Sequence, residues 1–308
     1  MADRINSADT HRGDEIDLIA IWNLIWLNRL QIALITGLFV FGSIVYSLTL
    51  DNIYRSEVVL VPAEVRQPSS ALLGQLGAAA SLVGINAGSA DTTKTATAIA
   101  TLQSRSFIRD FISRHDILPA LMASNWDNEE RRNVIDSDIY DEASLLWVGE
   151  KPTDLDAFKV FGRILGVSES QNNGLITISV DWTDPLQAKE WAGWVVADIN
   201  RQIKERDQQE AEDAIGYLQE QLQATQLVEM QRAFYQLIES QTRIVMLADV
   251  REDYVFRIID PAFVPEERSS PNRTFICIVG SFLGLFLSLF IVFVRNAILQ
   301  ANNQQKNN

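Results

Sequence analysis

Two histidines and one cysteine are the residues whose types could support metal or nucleophilic chemistry. His11 lies near the N-terminus, His115 stands next to Asp116, and Cys277 is the only thiol. Zinc sites need three or four Cys, His or carboxylate ligands at characteristic spacings. Neither histidine has a second histidine or a cysteine at such a spacing, and no Ser or Cys nucleophile motif occurs. The sequence therefore predicts no metal, no cofactor and no catalytic residue.

Carboxylates are abundant, with 40 Asp plus Glu against 26 Lys plus Arg and a net charge of −14. Paired carboxylates can hydrolyse glycosides, but no motif singles out a pair here, so we expect most to be solvated surface groups. An acidic chain lacks the basic surface that binds phosphates. Nucleic acid is therefore not expected as a partner.

Two uncharged apolar segments, residues 31–50 and 274–294, predict transmembrane helices. Twenty helical residues extend about 30 Å, which matches the hydrocarbon core of a bilayer. Trp22 and Trp26 beside the first segment are typical of the membrane interface. A cleaved signal peptide is the alternative for this segment, although about thirty residues precede it and no small-x-small cleavage site follows.

Within the second apolar segment, Gly280 and Gly284 form a Gly-x-x-x-Gly pair. Such pairs let two helix backbones approach closely, although they also arise by chance. The expected partner is the first apolar segment, at Ala33 and Gly37, or the same segment of a neighbouring copy.

Two spans would place the tails, residues 1–30 and 295–308, on one side of a membrane and residues 51–273 on the other. The whole net charge of −14 belongs to this central part. It is too long for the distribution of basic residues to determine the orientation. Charge alone therefore leaves open which side the central part occupies.

The central part reads as a mixture of strands and helices. Residues 54–61 and 254–259 predict strands, and residues 167–170 and 175–180 predict a hairpin whose Asn173-Gly174 turn tolerates positive φ. Helix caps are predicted at Thr153 and Asp184. The small-residue segment 68–101 predicts a flexible loop or a surface that packs closely against a neighbouring subunit.

A helix of unusual length is predicted over about 185–247. At 63 residues it would extend roughly 95 Å, so it must project from a compact domain or be broken, for which Gly216 is a candidate position. One apolar stripe runs along it, and self-association would cover that stripe. Its members include Ile215, Leu218, Leu222, Met230, Phe234 and Leu237.

Prolines Pro261, Pro265 and Pro271 lead into the second apolar segment and predict a stiff, extended connection. The stretch DPAFVPEERSSPNR at residues 260–273 resembles the pre-membrane signature of the Wzz-type chain-length determinants, the polysaccharide co-polymerases without a kinase domain. The same resemblance extends to MLADVREDYVFR at 246–257, DWTDP at 181–185 and DEIDL at 14–18. Therefore it covers nearly the whole chain.

The resemblance implies an α+β membrane protein of the bacterial inner membrane. Two transmembrane helices would flank a periplasmic domain with a small α/β base and a long protruding helix, and both termini would be cytoplasmic. It also implies a ring of copies that sets the modal length of O-antigen or a related lipid-linked polysaccharide beside a separate polymerase. No catalytic residues carry over. Kinase activity is not expected, because no Gly-x-x-x-x-Gly-Lys-Ser/Thr loop occurs.

Three functional hypotheses follow. The leading one is a non-enzymatic, oligomeric chain-length regulator whose copies hold the polymerase or the growing glycan while embedded in the lipid bilayer. The second is a periplasmic ligand-sensing membrane receptor without its own output domain, because two spans around an extracytoplasmic domain also describe such receptors. The third, a membrane-tethered glycan hydrolase, ranks last.

Overall fold

The computed structural model describes residues 18–63, 89–127 and 132–306. The chain divides into two compact units. We call residues 1–51 with 270–308 the membrane unit, and residues 52–269 the central unit. Most of the small-residue segment, including its glycines up to Gly88, lies outside the described residues, as does the DEID tetrapeptide at 14–17.

The membrane unit contains three helices: α1 (Leu18–Leu27), α2 (Arg29–Thr49) and α9 (Arg273–Lys306). Helix α2 and the part of α9 from Arg273 to Asn296 are long and apolar enough to cross a membrane. They pack against each other along most of their lengths. Two apolar helices thus lie towards the two ends of the chain.

The central unit is a mixed α/β structure. Its elements in chain order are β1 (Tyr54–Pro62), α3 (Ser89–Leu102), α4 (Arg105–Arg114), α5 (Leu118–Ala123), β2 (Ser124–Asp127), β3 (Arg132–Ile135), β4 (Tyr140–Asp141), β5 (Leu146–Trp147), α6 (Asp154–Ile164), β6 (Leu165–Glu169), β7 (Ile176–Trp182), α7 (Pro185–Ala224), α8 (Val228–Val250) and β8 (Phe256–Asp260). Apolar helices flanking a mixed α/β region with a long helix confirm the predicted fold class.

Four antiparallel strands form the main sheet, in the order β6-β7-β1-β8. Strand β1 follows α2 in the chain and β8 comes shortly before α9, and these two strands are neighbours. Strands β6 and β7 form the predicted hairpin, in which Gly174 adopts the positive φ of +66° that glycine tolerates best.

The core lies between one face of this sheet and the first half of α7. Alternate residues of β1 and β7 are completely buried, including Leu60 and Ile178. On the facing side of α7, Trp191, Val195 and Ile199 recur at helical spacing and are equally buried. Burial of this apolar surface is the main source of stability for the unit.

Local capping signals start α6 and α7 as the sequence predicts. The Asp184 carboxylate accepts hydrogen bonds from the backbone N–H groups of Leu186 and Gln187, at 2.8 and 3.3 Å. Pro185 occupies the first position of α7, where a missing N–H costs nothing. The Thr153 hydroxyl accepts from the Asp156 N–H and donates to the Asp156 carboxylate.

The long helix differs from the prediction over 185–247. It ends at Ala224, and the chain then reverses direction through residues 225–227 and returns as α8. Gln208 of α7 donates to the Asp249 carboxylate of α8 at 2.6 Å, so the two helices form an antiparallel hairpin. We call α7 from Arg206 onward together with α8 the helical hairpin.

The interruption falls beyond Gly216, at a place without glycine or proline. Gln231 caps it by donating to the Thr225 carbonyl at 2.8 Å. Packing of α8 along α7 favours the reversal, and such long-range packing overrides local helix preference. The residue pattern is helical on both sides of the break, so the sequence did not predict the position of the break.

Asn200 joins α7 to the return of the chain into the sheet. Only 6% of this residue is exposed, and its side chain makes three hydrogen bonds to backbone groups. Its Oδ1 accepts from the N–H groups of Val255 and Phe256 at 2.9 and 2.8 Å, and its Nδ2 donates to the Phe256 carbonyl at 2.8 Å. This one amide therefore satisfies the backbone where β8 begins.

We expect Asn200→Ala to destabilise the central unit, because it leaves these buried backbone groups without partners. At the lower end of about 1–3 kcal/mol for each of the three groups, the loss is about 3 kcal/mol, so the full-length protein should lose roughly 6–12 °C in Tm. Near-ultraviolet circular dichroism of the protein in detergent measures this loss. Gln219→Ala, which removes an exposed amide from the same helix, should change the Tm by less than about 2 °C. Equal effects of the two substitutions would contradict the role assigned to Asn200.

Candidate functional site

Among the described residues, His115 has a structural role, whereas His11 lies outside them. Within the described ranges, no group of three or more His, Cys, Asp and Glu side chains is arranged to hold a metal ion. The His115 ring stacks on Trp194, with a centroid distance of 4.6 Å and an angle of 5° between the planes. Its Nε2 lies 3.1 Å from Oδ2 of Asp198. His115 is thus part of the contact between α4 and α7.

Asp198 is a buried carboxylate, only 2% exposed, that holds α4 against α7. Arg114 of α4 donates to it at 2.8 Å, and Arg201 of α7 pairs with its other oxygen. Charge-assisted hydrogen bonds offset the cost of burying this carboxylate. The arrangement explains the buried negative charge of Asp198 without requiring a reaction.

A second ionic cluster joins α3, α7 and the segment before β8. Lys94 Nζ lies 2.7 Å from an oxygen of Asp207, and the Tyr254 hydroxyl donates to the same oxygen at 2.9 Å. Burial alone would lower the pKa of Lys94, but the hydrogen bond and charge of Asp207 raise it above its ordinary value. Lys94 therefore remains charged, and its ion pair with Asp207 holds α3 against the base of the helical hairpin.

The predicted apolar stripe is divided by the helical hairpin. Ile215, Leu218 and Leu222 of α7 are half-buried, as is Phe234 of α8. We call the contact between α7 and α8 the seam. Met230 and Leu237 lie outside it and are 45% and 49% exposed. The residues of α8 that are buried or half-buried are Gln231, Phe234, Ile238, Gln241, Ile244, Val245, Leu247 and Ala248. The chain's own second helix therefore covers part of the stripe that self-association was expected to cover.

Considerable apolar surface nevertheless remains open on the helical hairpin. A pair of helices can bury only one side of each member, so apolar residues at the margins of that side stay in contact with solvent. We call the exposed set Tyr217, Leu227, Val228, Met230, Tyr235, Leu237 and Met246 the outer hairpin face.

The predicted pre-membrane prolines occupy different environments. Pro261 is exposed and Pro265 is buried, and both belong to the central unit; Pro271 is half-buried and belongs to the membrane unit. Ser56 of β1 donates to the Phe263 carbonyl, and the Ser269 N–H donates to the Ile53 carbonyl, both at 2.8 Å. The segment after β8 is therefore attached to β1 and to the residue before it, and the stiffness expected from its prolines stays a prediction.

Gly280 and Gly284 of α9 lie against α2. A Cβ at Gly280 would stand 2.6 Å from Cβ of Ser43, and one at Gly284 would stand 2.6 Å from Cβ of Phe39. The hydroxyl oxygens of Thr36 and Ser288 are 3.5 Å apart in the same contact. Glycine at these two positions therefore permits the close approach of the helices.

The contact face of α2 differs from the expected residues Ala33 and Gly37. Both are exposed, and a Cβ at Gly37 would meet nothing within 4 Å. Thr36, Phe39 and Ser43 face α9 instead, at spacings of three and four residues. The helical spacing of these three residues could have identified the contact face of α2. The expectation was based on small residues alone, and Ala33 and Gly37 lie on the neighbouring face.

Comparison with known proteins gives two family matches. Residues 14–115 match the Wzz family, described as chain length determinant protein. The chain carries a Wzz domain. Residues 217–297 match the GNVR family, a G-rich domain whose description refers to tyrosine kinases. The resemblance seen in the sequence is thereby confirmed, and the Wzz domain includes α2, β1 and α4.

Two solved structures are similar to this Wzz-domain protein. A full-length bacterial polysaccharide co-polymerase is 16% identical, with a TM-score of 0.40 over 93% of this chain and 99% of that one. A fragment of WzzB, a polysaccharide co-polymerase from Salmonella Typhimurium, is 15% identical, with a TM-score of 0.33 over 71% of this chain and all of that one. At these values the likeness establishes no shared function. No curated protein matches the sequence.

We expect Gly284→Leu to separate α2 from α9, because its side chain would occupy space held by Phe39 and Thr36. In a Cys277→Ser background, the pair Thr36→Cys and Ser288→Cys should form a disulfide on mild oxidation, since the native oxygens are 3.5 Å apart. Proteolysis followed by electrophoresis under non-reducing conditions detects the cross-link.

Adding Gly284→Leu should abolish this cross-link, whereas Gly42→Leu should preserve it, because a Cβ at Gly42 meets nothing within 4 Å. Equal cross-linking in the two quadruple variants would show that the glycines do not control the approach of the helices.

Proposed function

We propose that this protein is a non-enzymatic, oligomeric regulator of the modal chain length of O-antigen or a related lipid-linked polysaccharide, acting with a separate polymerase. The observation that carries the proposal is the Wzz match over residues 14–115, whose family is described by chain length. The apolar helices near the two ends of the chain support it, because such a regulator must remain beside lipid-linked substrates.

The proposed membrane placement follows the same family. Helices α2 and α9 span the bacterial inner membrane, with the predicted spans at 31–50 and 274–294. Residues 51–273 form the periplasmic domain, and the tails 1–30 and 295–308 are cytoplasmic. An acidic domain of net charge −14 remains soluble and is repelled by anionic lipid surfaces, which suits a domain that projects from the membrane.

Self-association in this proposal uses the outer hairpin face. The chain covers its own seam, so neighbouring copies pack their helical hairpins through the residues that stay exposed. Like-charged domains repel one another, so apolar contact must supply the favourable free energy of assembly. A closed arrangement of hairpins then holds the polymerase or the growing glycan, and its geometry biases when extension ends.

Removal of this protein from cells that make its polysaccharide tests the function directly. We expect the clustered length distribution of the surface glycan to become a random ladder on gel electrophoresis, with polymer synthesis preserved. Restoration of the gene should restore the cluster. An unchanged ladder would contradict chain-length control, and loss of all polymer would indicate a different role.

The double variant Met230→Glu with Leu237→Glu tests the assembly. Both side chains are exposed, so the hairpin should fold, but two desolvated carboxylates would oppose contact between copies. We expect a smaller mass for the detergent-extracted particle and a broadened glycan ladder. Gln236→Glu, also exposed on α8, should leave both unchanged. If the double variant keeps the particle mass and the glycan ladder of the wild-type protein, the outer hairpin face does not contribute to the assembly.

A further inference from the structure

Two arginines lie at the same end of the α2–α9 helix pair. Arg29 begins α2, and Arg295 lies in α9. The Arg295 guanidinium donates from Nη1 to Oε1 of Gln31 at 2.8 Å. Since Gln31 is only two residues along α2 from Arg29, the two positive charges occupy one level of the membrane unit.

Tryptophans mark the depth of this level. The guanidinium carbon of Arg29 lies 4.9 Å from the ring centroid of Trp26, a cation–π contact. Trp26 is 52% exposed and Trp22 is 63% exposed, so neither belongs to a core. Exposed tryptophans beside an apolar span are characteristic of the membrane interface, which is the depth of the lipid phosphates.

The arginines have no carboxylate partner among the described residues of the membrane unit. The sequence contains no Asp or Glu in residues 18–50 or 270–306. The Gln31 amide orients Arg295 but adds no negative charge. Two cations at headgroup depth therefore need an anion from outside this part of the chain.

An apolar cleft adjoins the same place. Phe290, Ile291, Val294 and Ile298 line it together with Arg295, and its volume is about 330 Å³. Phe290 and Ile298 are more than half exposed, so the cleft opens on the outer side of α9. Such a surface can accept an acyl chain, while the arginine at its edge faces the headgroup.

We propose that Arg29 and Arg295 bind the headgroup of an anionic phospholipid whose acyl chain lies in this cleft. Guanidinium groups pair with phosphate through parallel N–H donors, and a net negative headgroup neutralises both arginines better than a zwitterionic one. The lipid would hold the ends of α2 and α9 together at the interface. This inference rests on the proposed membrane placement and is independent of chain-length control.

Native mass spectrometry of the full-length protein with equal amounts of phosphatidylglycerol and phosphatidylcholine tests the proposal. We expect the wild-type protein to retain phosphatidylglycerol preferentially. Arg29→Gln and Arg295→Gln should each lower this preference about fivefold, the effect of one interfacial charge. Arg29→Lys and Arg295→Lys should keep much of it, which separates loss of charge from disruption of the helix pair.

Arg268→Gln is the matched control, because it removes an exposed arginine from the central unit and should leave the preference unchanged. Equal binding of the two lipids by the wild-type protein would overturn the proposal, as would a preference that survives both glutamine substitutions or falls equally in Arg268→Gln. Carbonate extraction of membranes tests the membrane placement separately from the lipid site. Release of the protein would contradict the membrane placement. Retention of the protein without a lipid preference would contradict the lipid site alone.

Discussion

Packing of the first half of α7 on one face of the main sheet is the contact on which the central unit depends. Trp191, Val195 and Ile199 are buried against strands that come from distant parts of the chain. Strand β1 follows the first apolar helix, and β8 leads towards the second. Since β1 and β8 are neighbours in the sheet that α7 covers, the first and last strands of the central unit lie side by side.

Polar groups then determine how other elements meet α7. Asn200 satisfies the backbone where β8 begins, Asp198 holds α4, and Asp207 holds Lys94 of α3. All three lie on α7 within ten residues. Buried polar groups of this kind stabilise a structure only when their partners are in place, so they favour one arrangement over alternatives. The base of the helical hairpin is consequently anchored from several sides, while its outer part relies on the contact between α7 and α8.

In the proposed role, regulation of chain length depends on the geometry of an assembly. In the described residues the titratable side chains that are buried serve contacts between elements, and the exposed apolar residues include sets on the helical hairpin and on the apolar helices. Exposed apolar surfaces of this kind favour association with other proteins and with lipid. The assembly and the lipid site proposed above each use one of these two surfaces.

The sequence by itself determined the features that depend on local patterns. Two uncharged segments of about twenty residues predict helices long enough to cross a bilayer, Asp184-Pro185 starts a helix, and Asn173-Gly174 turns a hairpin, because each effect acts over a few neighbouring residues. The motif at 260–273 also carried the resemblance to the Wzz-type family. Tertiary structure alone decided the reversal at 225–227 and the face of α2 that meets α9. In both cases the deciding free energy comes from contacts between residues far apart in the chain, and a helical pattern is equally compatible with a continuous rod, a hairpin or either of two adjacent faces.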